Sequence, residues 1–146
     1  MRLSGLYLLY AEALNESQGP GPEVYQYLNL VRQAAGLESV QSSWDEYSIN
    51  PSEYKSQKGL RDIIHQERLI ELAFEGQRFW DLRRWKEAAR TMNAPIRGWD
   101  GQQKNAEDYY RPVTIFNQTF GTKDYFWPIN DKEVTANKHL VQNLGW

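Results

Sequence analysis

Three glutamates spaced four residues apart are the side chains in this chain most able to do chemistry. Glu67, Glu71 and Glu75 fall on one face of a predicted helix, one above another. Glycosidases use two carboxylates about 5–10 Å apart, and residues four apart on a helix rise by about 6 Å. One hypothesis is therefore a carboxylate-pair hydrolase. It predicts that replacing the three glutamates by glutamine abolishes turnover without unfolding the chain.

Arginines close to these glutamates favour a structural role. Stacked like charges oppose each other, and burying them is costly unless they are paired. The planar fork of an arginine can meet a carboxylate with two hydrogen bonds. We therefore predict a structural ion-pair lattice, no catalytic residue and no enzyme activity, with Arg61 and Arg83 as further nearby cations. The predicted lattice comprises Glu67, Arg68, Glu71, Glu75, Arg78, Asp81 and Arg84.

Composition limits the other kinds of function. The chain has 146 residues, enough for one domain, and its net charge of −2 comes from interspersed acids and bases. Nothing in this pattern suggests a nucleic-acid partner. Cysteine is absent, and the two histidines, His65 and His139, are far apart, so we expect no metal site and no cofactor. We also expect no signal peptide and no membrane span.

Two helices joined by a Gly/Pro turn are predicted at the start of the chain. The first covers residues 3–17 and the second ends near Gly36, which suits the C′ position. Together, residues 1–37 resemble one tetratricopeptide-type hairpin, which cannot bury its own faces without neighbours. The predicted inner residues are Leu3, Leu6, Tyr7, Tyr10, Ala13 and Leu14 in the first helix, and Val24, Tyr27, Leu28, Val31, Ala34 and Ala35 in the second.

The rest of the chain is predicted to be helical first and irregular later. Residues 38–49 are predicted to form a loop. Within 50–92 we predict two helices, at about 58–75 and 78–92, and Asn50 has the residue type of a helix N-cap. The second of these should bury Leu82, Trp85, Ala89 and Met92, and we expect Trp80 in the core as well. Within 93–146 we predict a loop, a β-hairpin of 113–116 with 124–127, and a closing segment. The fold class is mainly α, with a small β-hairpin and an irregular C-terminal segment.

Three blocks of sequence resemble the SusD/RagB family. The first block is the predicted helix pair at the start of the chain, and the second contains Glu67, Glu71 and Glu75. The third block begins at Trp127-Pro128-Ile129. Ala34 departs from the family pattern, which often has a second arginine there, so one expected ion pair is in doubt. The matching residues of the second block are Glu67-Arg68, Glu71-Leu72, Glu75-Gly76, Arg78, Asp81-Leu82 and Arg84-Trp85; those of the third continue with Glu133, Asn137, Leu140, Gln142-Asn143 and Gly145-Trp146.

The resemblance implies a role in nutrient uptake. Family members are surface lipoproteins of the outer membrane in Bacteroidetes, which capture oligosaccharides and pass them to a SusC-like TonB-dependent transporter. They are several times longer than this chain, so we expect a C-terminal portion that lacks the lipid anchor. The glutamates and arginines of the second block should then stabilise the scaffold.

Exposed aromatic side chains are the candidates for sugar contacts. Aromatic residues form 14% of the chain, and they either fill a core or offer stacking surfaces for sugar rings. The candidates are Trp44 and Tyr47 in the first loop, and Trp99, Tyr109 and Tyr110 in the second. The alternative function is a tetratricopeptide-type protein-interaction scaffold without a ligand site. It predicts an open concave groove on the hairpin, with Trp44 and Trp99 buried.

Overall fold

The computed structural model describes residues 2–146, and the mainly helical fold predicted from the sequence is confirmed. Two strands, β1 (Pro95–Trp99) and β2 (Pro112–Asn117), form a small antiparallel sheet, and two 3-10 turns cover Glu53–Lys55 and Thr122–Tyr125. The helices are α1 (Leu3–Gln18), α2 (Pro22–Ala34), α3 (Val40–Tyr47), α4 (Gln57–Glu71), α5 (Gln77–Arg84), α6 (Ala88–Met92), α7 (Ala106–Tyr109) and α8 (Asp131–Ala136). The chain divides into two compact units, one ending at Arg78 and the next beginning at Phe79.

The first unit is built on α1, α2 and α4, which share one hydrophobic core. Complete burial of a leucine or isoleucine side chain contributes about 1.5–3 kcal/mol, so this core is the main source of stability of the unit. Tyr54 of the 3-10 turn and Val40 of α3 close it at one side. Its other buried members are Leu8, Ala11, Leu14, Val24, Leu28, Val31, Leu60, Ile63 and Ile64.

The predicted inner face of α1 is largely wrong. Leu3, Leu6 and Tyr10 are exposed, whereas Leu8 and Ala11 are fully buried. Apolar residues occupy most of the circumference of this helix, so periodicity alone does not choose a face; the packing of α2 and α4 does. For α2 the prediction holds at Val24, Leu28 and Val31, but Ala34 and Ala35 are exposed.

Helix α2 ends as the sequence predicts. Gly36 has a φ of +75°, the Leu37 amide donates to the Arg32 carbonyl at 2.9 Å, and the Gly36 amide donates to the Gln33 carbonyl at 3.0 Å. These two bonds define a Schellman motif, which satisfies carbonyls that the helix end would otherwise leave open.

The segment predicted as a loop at 38–49 contains a helix. Ser39 caps α3 by accepting a hydrogen bond from the Ser42 amide, and buried Val40 fixes the helix on the core. Asn50 is not a helix cap, because the turn after it leads only into the 3-10 turn. The cap of α4 is Ser56, whose hydroxyl accepts from the Gly59 amide at 3.0 Å.

The predicted helices at 58–75 and 78–92 are each shorter than expected. Helix α4 ends at Glu71, and both Phe74 (φ +65°) and Gly76 (φ +74°) have left-handed backbones that no α-helix can contain. Lys86, with a φ of +57°, separates α5 from α6 in the same way. The sequence contains a glycine at only one of these three positions, so the other two breaks carried no clear signal.

Replacing Lys86 by glycine is expected to stabilise the chain by about 0.5–1 kcal/mol. The Glu87 amide donates to the Leu82 carbonyl at 2.9 Å and the Lys86 amide to the Arg83 carbonyl at 3.0 Å, so Lys86 occupies the C′ position of a Schellman motif. A non-glycine residue is strained there, and glycine removes the strain at a smaller entropic cost. Urea unfolding measures the change. Lys104→Gly, at an exposed position with no positive φ, should not stabilise, and equal stabilisation by both variants would contradict the assignment.

The second unit has a smaller core of Leu82, Ala88 and Phe120, against which Met92 and Tyr125 pack. Asn93 holds Phe120 in place, accepting from its amide at 2.7 Å and donating to its carbonyl at 3.0 Å. The prediction that Trp80 belongs to the core is wrong, because its side chain is 55% exposed. Ala89, also predicted to be buried, is exposed, and Trp85 is half-buried.

The small antiparallel sheet exists, but its strands are not the predicted pair. Residues 112–117 pair with 95–99, in a register that places Ile96 opposite Phe116 and Trp99 opposite Pro112. The other predicted strand, 124–127, begins within a 3-10 turn, where Asp124 accepts a hydrogen bond from the Gly121 amide at 2.7 Å. This local hydrogen bond stabilises a turn and so competes with the β-propensity of Tyr125-Phe126-Trp127.

The closing segment is fixed by side-chain amides. Gln142 both accepts from the Ile129 amide and donates to the Ile129 carbonyl, each at 2.8 Å. The Trp146 indole donates to the carbonyls of Lys123 and Phe126 at 3.1 and 3.2 Å. These bonds give the polar residues of the third sequence block a structural role within the second unit.

Candidate functional site

Trp99, Tyr109 and Tyr110 form one exposed aromatic cluster in the second unit, which we call the aromatic platform. The Trp99 and Tyr110 ring centroids are 5.1 Å apart, as are those of Tyr109 and Tyr110, and Trp99 and Tyr109 are 6.3 Å apart. Their exposed fractions are 61% for Trp99, 36% for Tyr109 and 58% for Tyr110. Rings so exposed can contact a ligand without any rearrangement of the core.

Local hydrogen bonds explain why these rings meet. Trp99 is the last residue of β1, and its pairing with β2 brings the strand end back beside Tyr110. Asn105 caps α7 by accepting from the Asp108 amide at 2.9 Å, which fixes the short helix that carries Tyr109. The platform thus depends on a strand register and a capped turn about ten residues apart in sequence.

Polar groups lie beside the platform in sequence and contact one another. Asp100 accepts hydrogen bonds from Gln103 at 3.2 Å and from Arg111 at 3.4 Å. Apolar ring faces with a few polar groups at their edge are the usual composition of a site for small polar ligands such as sugars. Stacking would position the flat face of a sugar ring, and the polar groups would orient its hydroxyls.

A second aromatic site lies in the first unit, where α3 meets the 3-10 turn; we call it the α3 cleft. It has a volume of 360 Å³ and is lined by Ser43, Trp44, Tyr47, Ser48 and Glu53. Trp44 is half-buried against the core, while Tyr47 is 71% exposed. The hydrogen bond between Tyr47 and Glu46 raises the pKa of the Tyr47 hydroxyl, so the phenol stays neutral. All five predicted sugar contacts therefore fall in two places, Trp44 and Tyr47 in one and the other three in the platform.

The three predicted glutamates pair with arginines that lie outside the predicted lattice. Glu67 is buried and pairs with Arg32 of α2, which also donates to the Glu38 carbonyl and the Ser43 hydroxyl, both at 2.8 Å. Glu71 and Glu75 both pair with Arg2, at 2.9 and 2.5 Å. The glutamates are therefore held by the start of the chain and by α2.

The remaining charged residues of the lattice also have partners. Buried Arg68 lies 3.8 Å from Glu12 of α1, and Arg84 pairs with Asp81 at 2.9 Å. Arg78 is half-buried near the start of α5. Of the further cations, Arg61 donates from Nε and Nη2 to the two carboxylate oxygens of Glu16, each at 2.5 Å, and that hydrogen bonding lowers the pKa of the Glu16 carboxyl. Arg83 lies 3.4 Å from the Phe79 ring centroid.

Arg32, Glu12 and Arg2 are the ion-pair residues that sequence reasoning missed. Arg32 directly follows Val31 and lies four residues after Leu28, so it flanks the buried face of α2. Glu12 has the same relation to Leu8 and Ala11 in α1. A charge at the margin of an apolar face is a signal for a buried pair. Arg2 precedes its helix and offered no such signal.

The two alternatives considered from sequence fit this geometry poorly. A carboxylate-pair hydrolase would need accessible carboxylates, but Glu67 is 8% exposed and faces Arg32, while Glu71 and Glu75 share Arg2. A pure interaction scaffold predicts buried Trp44 and Trp99. Trp44 is half-buried, and Trp99 is largely exposed.

Among residues 2–146, no helix combines the length and apolar character of a membrane span. The same residues contain no group of three or more acidic or histidine side chains arranged to hold a metal ion.

The described residues thus form a mainly helical scaffold with aromatic clusters beside polar groups. The chain matches the SusD family over residues 1–146 and belongs to that family. It is 33% identical to SusD-like protein P2 of Formosa agariphila over 143 residues. The matched region covers 98% of this chain and 24% of that protein.

Solved structures show the same fold. A SusD-like protein from Bacteroides fragilis superposes with a TM-score of 0.77 at 28% identity, covering 100% of this chain and 25% of that one. The surface glycan-binding protein A from Bacteroides thetaiotaomicron gives a TM-score of 0.57 at 30% identity, over 97% of this chain and 23% of that one. The chain therefore spans about a quarter of the length of these relatives.

Proposed function

We propose that this chain contributes to a protein that binds oligosaccharides at the cell surface, and that the aromatic platform is one of its sugar contacts. The observation that carries the proposal is the meeting of three exposed rings, Trp99, Tyr109 and Tyr110, within 5.1–6.3 Å of one another. Membership of the SusD family, and the likeness to a protein named for surface glycan binding, support the choice of ligand.

The proposal extends to delivery of the sugar. As in the family it resembles, the protein would act at the outer membrane, anchored by a lipid, and pass its ligand to a SusC-like TonB-dependent transporter without catalysing a reaction. Copurification of such a transporter with a tagged protein tests this part. Recovery of the tagged protein alone from mildly solubilised outer membranes would contradict the partnership and leave the sugar site standing.

Replacing Trp99 by alanine is expected to weaken oligosaccharide binding about tenfold or more. Large aromatic side chains at the centre of a contact typically contribute about 2 kcal/mol or more, which corresponds to more than tenfold in affinity. Because Trp99 is mostly exposed, its removal should leave the thermal unfolding midpoint nearly unchanged. Affinity electrophoresis and tryptophan fluorescence, with a ligand first selected on a glycan array, provide the measurement.

Trp80→Ala is the matched control, since Trp80 is similarly exposed but lies on α5 and contacts Phe79. It should bind the ligand as the unaltered chain does. Equal binding by Trp99→Ala and the unaltered chain would contradict the assignment of the platform. The absence of any hit on a broad glycan array would contradict sugar binding by this chain.

A further inference from the structure

The α3 cleft differs from the aromatic platform in its charge. Residues 38–55 contain four carboxylates, Glu38, Asp45, Glu46 and Glu53, against a single cation, Lys55. Lys55 lies 3.8 Å from Asp45, so it is directed to a carboxylate outside the cleft lining. The other nearby cation, Arg32, is buried and pairs with Glu67. Four carboxylates against one lysine give residues 38–55 a formal charge of −3, and the Arg32 guanidinium, which donates to Ser43 of the lining, is the other charge at the cleft.

Glu53 is the charged group of the cleft lining. Its Oε2 atom accepts a hydrogen bond from the Trp44 indole N–H at 3.3 Å, a long bond that leaves acceptor capacity on both oxygens. This contact holds the carboxylate beside the indole ring. A ligand with a hydrogen-bond donor that enters the cleft would therefore meet a carboxylate with acceptor capacity beside an aromatic ring.

The two rings add a second attraction for a positive ligand. Trp44 already has the guanidinium carbon of Arg32 at 5.7 Å from its ring centroid, and its contacts with α2 and the core fix its orientation. Tyr47 projects into solvent from the last turn of α3. An ammonium group that approaches aromatic rings and a carboxylate together is favoured by both cation–π attraction and a charge-assisted hydrogen bond.

The hydroxyls of the lining suit a sugar. Ser43 accepts from Arg32 at 2.8 Å and Ser48 accepts from the Asn50 amide at 3.0 Å, so each hydroxyl retains its proton for donation. The volume of 360 Å³ lies at the lower end of the range for small-ligand sites, which is about 300–1,000 Å³. A site of this size can hold one or a few units of an oligosaccharide, which would contact the aromatic rings, the hydroxyls and the carboxylate of the lining.

We propose that the α3 cleft selects sugars by charge. It would hold an amino-sugar unit, whose protonated amine donates to the Glu53 carboxylate and lies against the rings of Trp44 and Tyr47. Neutral sugar units bind less tightly, and uronic-acid or sulfated units are repelled. This inference rests on the proposed oligosaccharide-binding function, which it makes more specific.

The test compares three probes of equal length by isothermal titration with the full chain: a glucosamine oligosaccharide, its N-acetylated counterpart and an oligogalacturonate, at a mildly acidic pH that protonates the amine. The glucosamine probe should bind about tenfold more tightly than the acetylated one, as expected for one charge-assisted hydrogen bond. The galacturonate should not bind at this cleft. Glu53→Gln should abolish the preference for the amine and retain the acceptor for the Trp44 N–H.

Glu133→Gln is the control for net charge, because it removes one exposed carboxylate on α8. It should keep the full preference; a loss equal to that of Glu53→Gln would show unspecific attraction and overturn the proposal. Equal or tighter binding of the acetylated probe, or of the galacturonate, overturns it as well.

The same titrations separate this inference from the proposed function. Neutral probes that depend on Trp99 but show no preference for an amine would overturn charge selection and leave the sugar-binding function intact. A preference that depends on Glu53 and is insensitive to Trp99→Ala would support the cleft as a site that acts independently of the platform. No binding of any probe or of any glycan on the array would overturn both.

Discussion

Replacing Arg32 by methionine is expected to lower the free energy of unfolding by about 3–5 kcal/mol. The substitution leaves the Glu67 carboxylate buried without its guanidinium partner, and Glu67 is 8% exposed. It also removes the bonds from Arg32 to the Glu38 carbonyl and the Ser43 hydroxyl. The free energy of unfolding of a small domain is only about 5–15 kcal/mol. This single change is therefore expected to remove a large part of it. Urea unfolding followed by circular dichroism gives the value.

Two further variants identify the cause. Replacing both partners, as Arg32→Met with Glu67→Leu, should recover a large part of the loss, because no buried charge then remains unpaired. Arg61→Met removes the exposed pair with Glu16, whose side chains are 36% and 43% exposed, and should cost less than about 1 kcal/mol. If the double variant is as unstable as Arg32→Met, packing of the arginine matters more than its charge, and our account of the pair is wrong.

Replacing Gly59 by alanine is expected to cost about 2–3 kcal/mol. A Cβ atom at this position would lie 2.1 Å from the Glu53 carbonyl oxygen and 2.7 Å from its Cγ. Forcing apart well-packed groups typically costs about 1–3 kcal/mol, and here the opposing atom is backbone that cannot rotate away. Gly59 also donates its amide proton to the Ser56 cap, so movement of α4 away from the turn would weaken the cap. Thermal and urea unfolding both report the loss.

Gly101→Ala is the matched control, since no atom lies within 4 Å of its added Cβ and its φ is not positive. It should change the stability by less than about 0.5 kcal/mol. Gly59→Ala should also weaken binding in the α3 cleft, because it displaces the turn that carries Glu53. A stability equal to that of Gly101→Ala would mean that the 3-10 turn is not packed on α4 as described.

The buried ion pair and the α3 cleft are physically connected. Arg32 pairs with Glu67 on one side and reaches Ser43 and the ring of Trp44 on the other. Glu67 thus orients an arginine that in turn contacts two residues of the cleft lining. These two residues are therefore contacted by an arginine that is itself held by a buried ion pair.

The family, the mainly helical class and the residue types of the candidate sites could all be predicted from the sequence. Periodic apolar residues and the Gly/Pro turn located α1 and α2 closely, and Gly36 marked the end of α2. Trp99, Tyr109 and Tyr110 lay in a segment that the sequence predicted to be irregular. These are local properties, because they depend on the spacing of residues along the chain and on the conformational preferences of single residues.

Which of these residues contact one another could be learned only from the three-dimensional structure. The buried face of α1, the partners of Glu67 and Glu71, and the pairing of β2 with β1 all depend on contacts between residues distant in the chain. An arginine can meet any carboxylate within reach, and a β-prone run can pair with any available strand. Packing selects one arrangement from these, which is why residue types and approximate places could be read from the sequence and the partners could not.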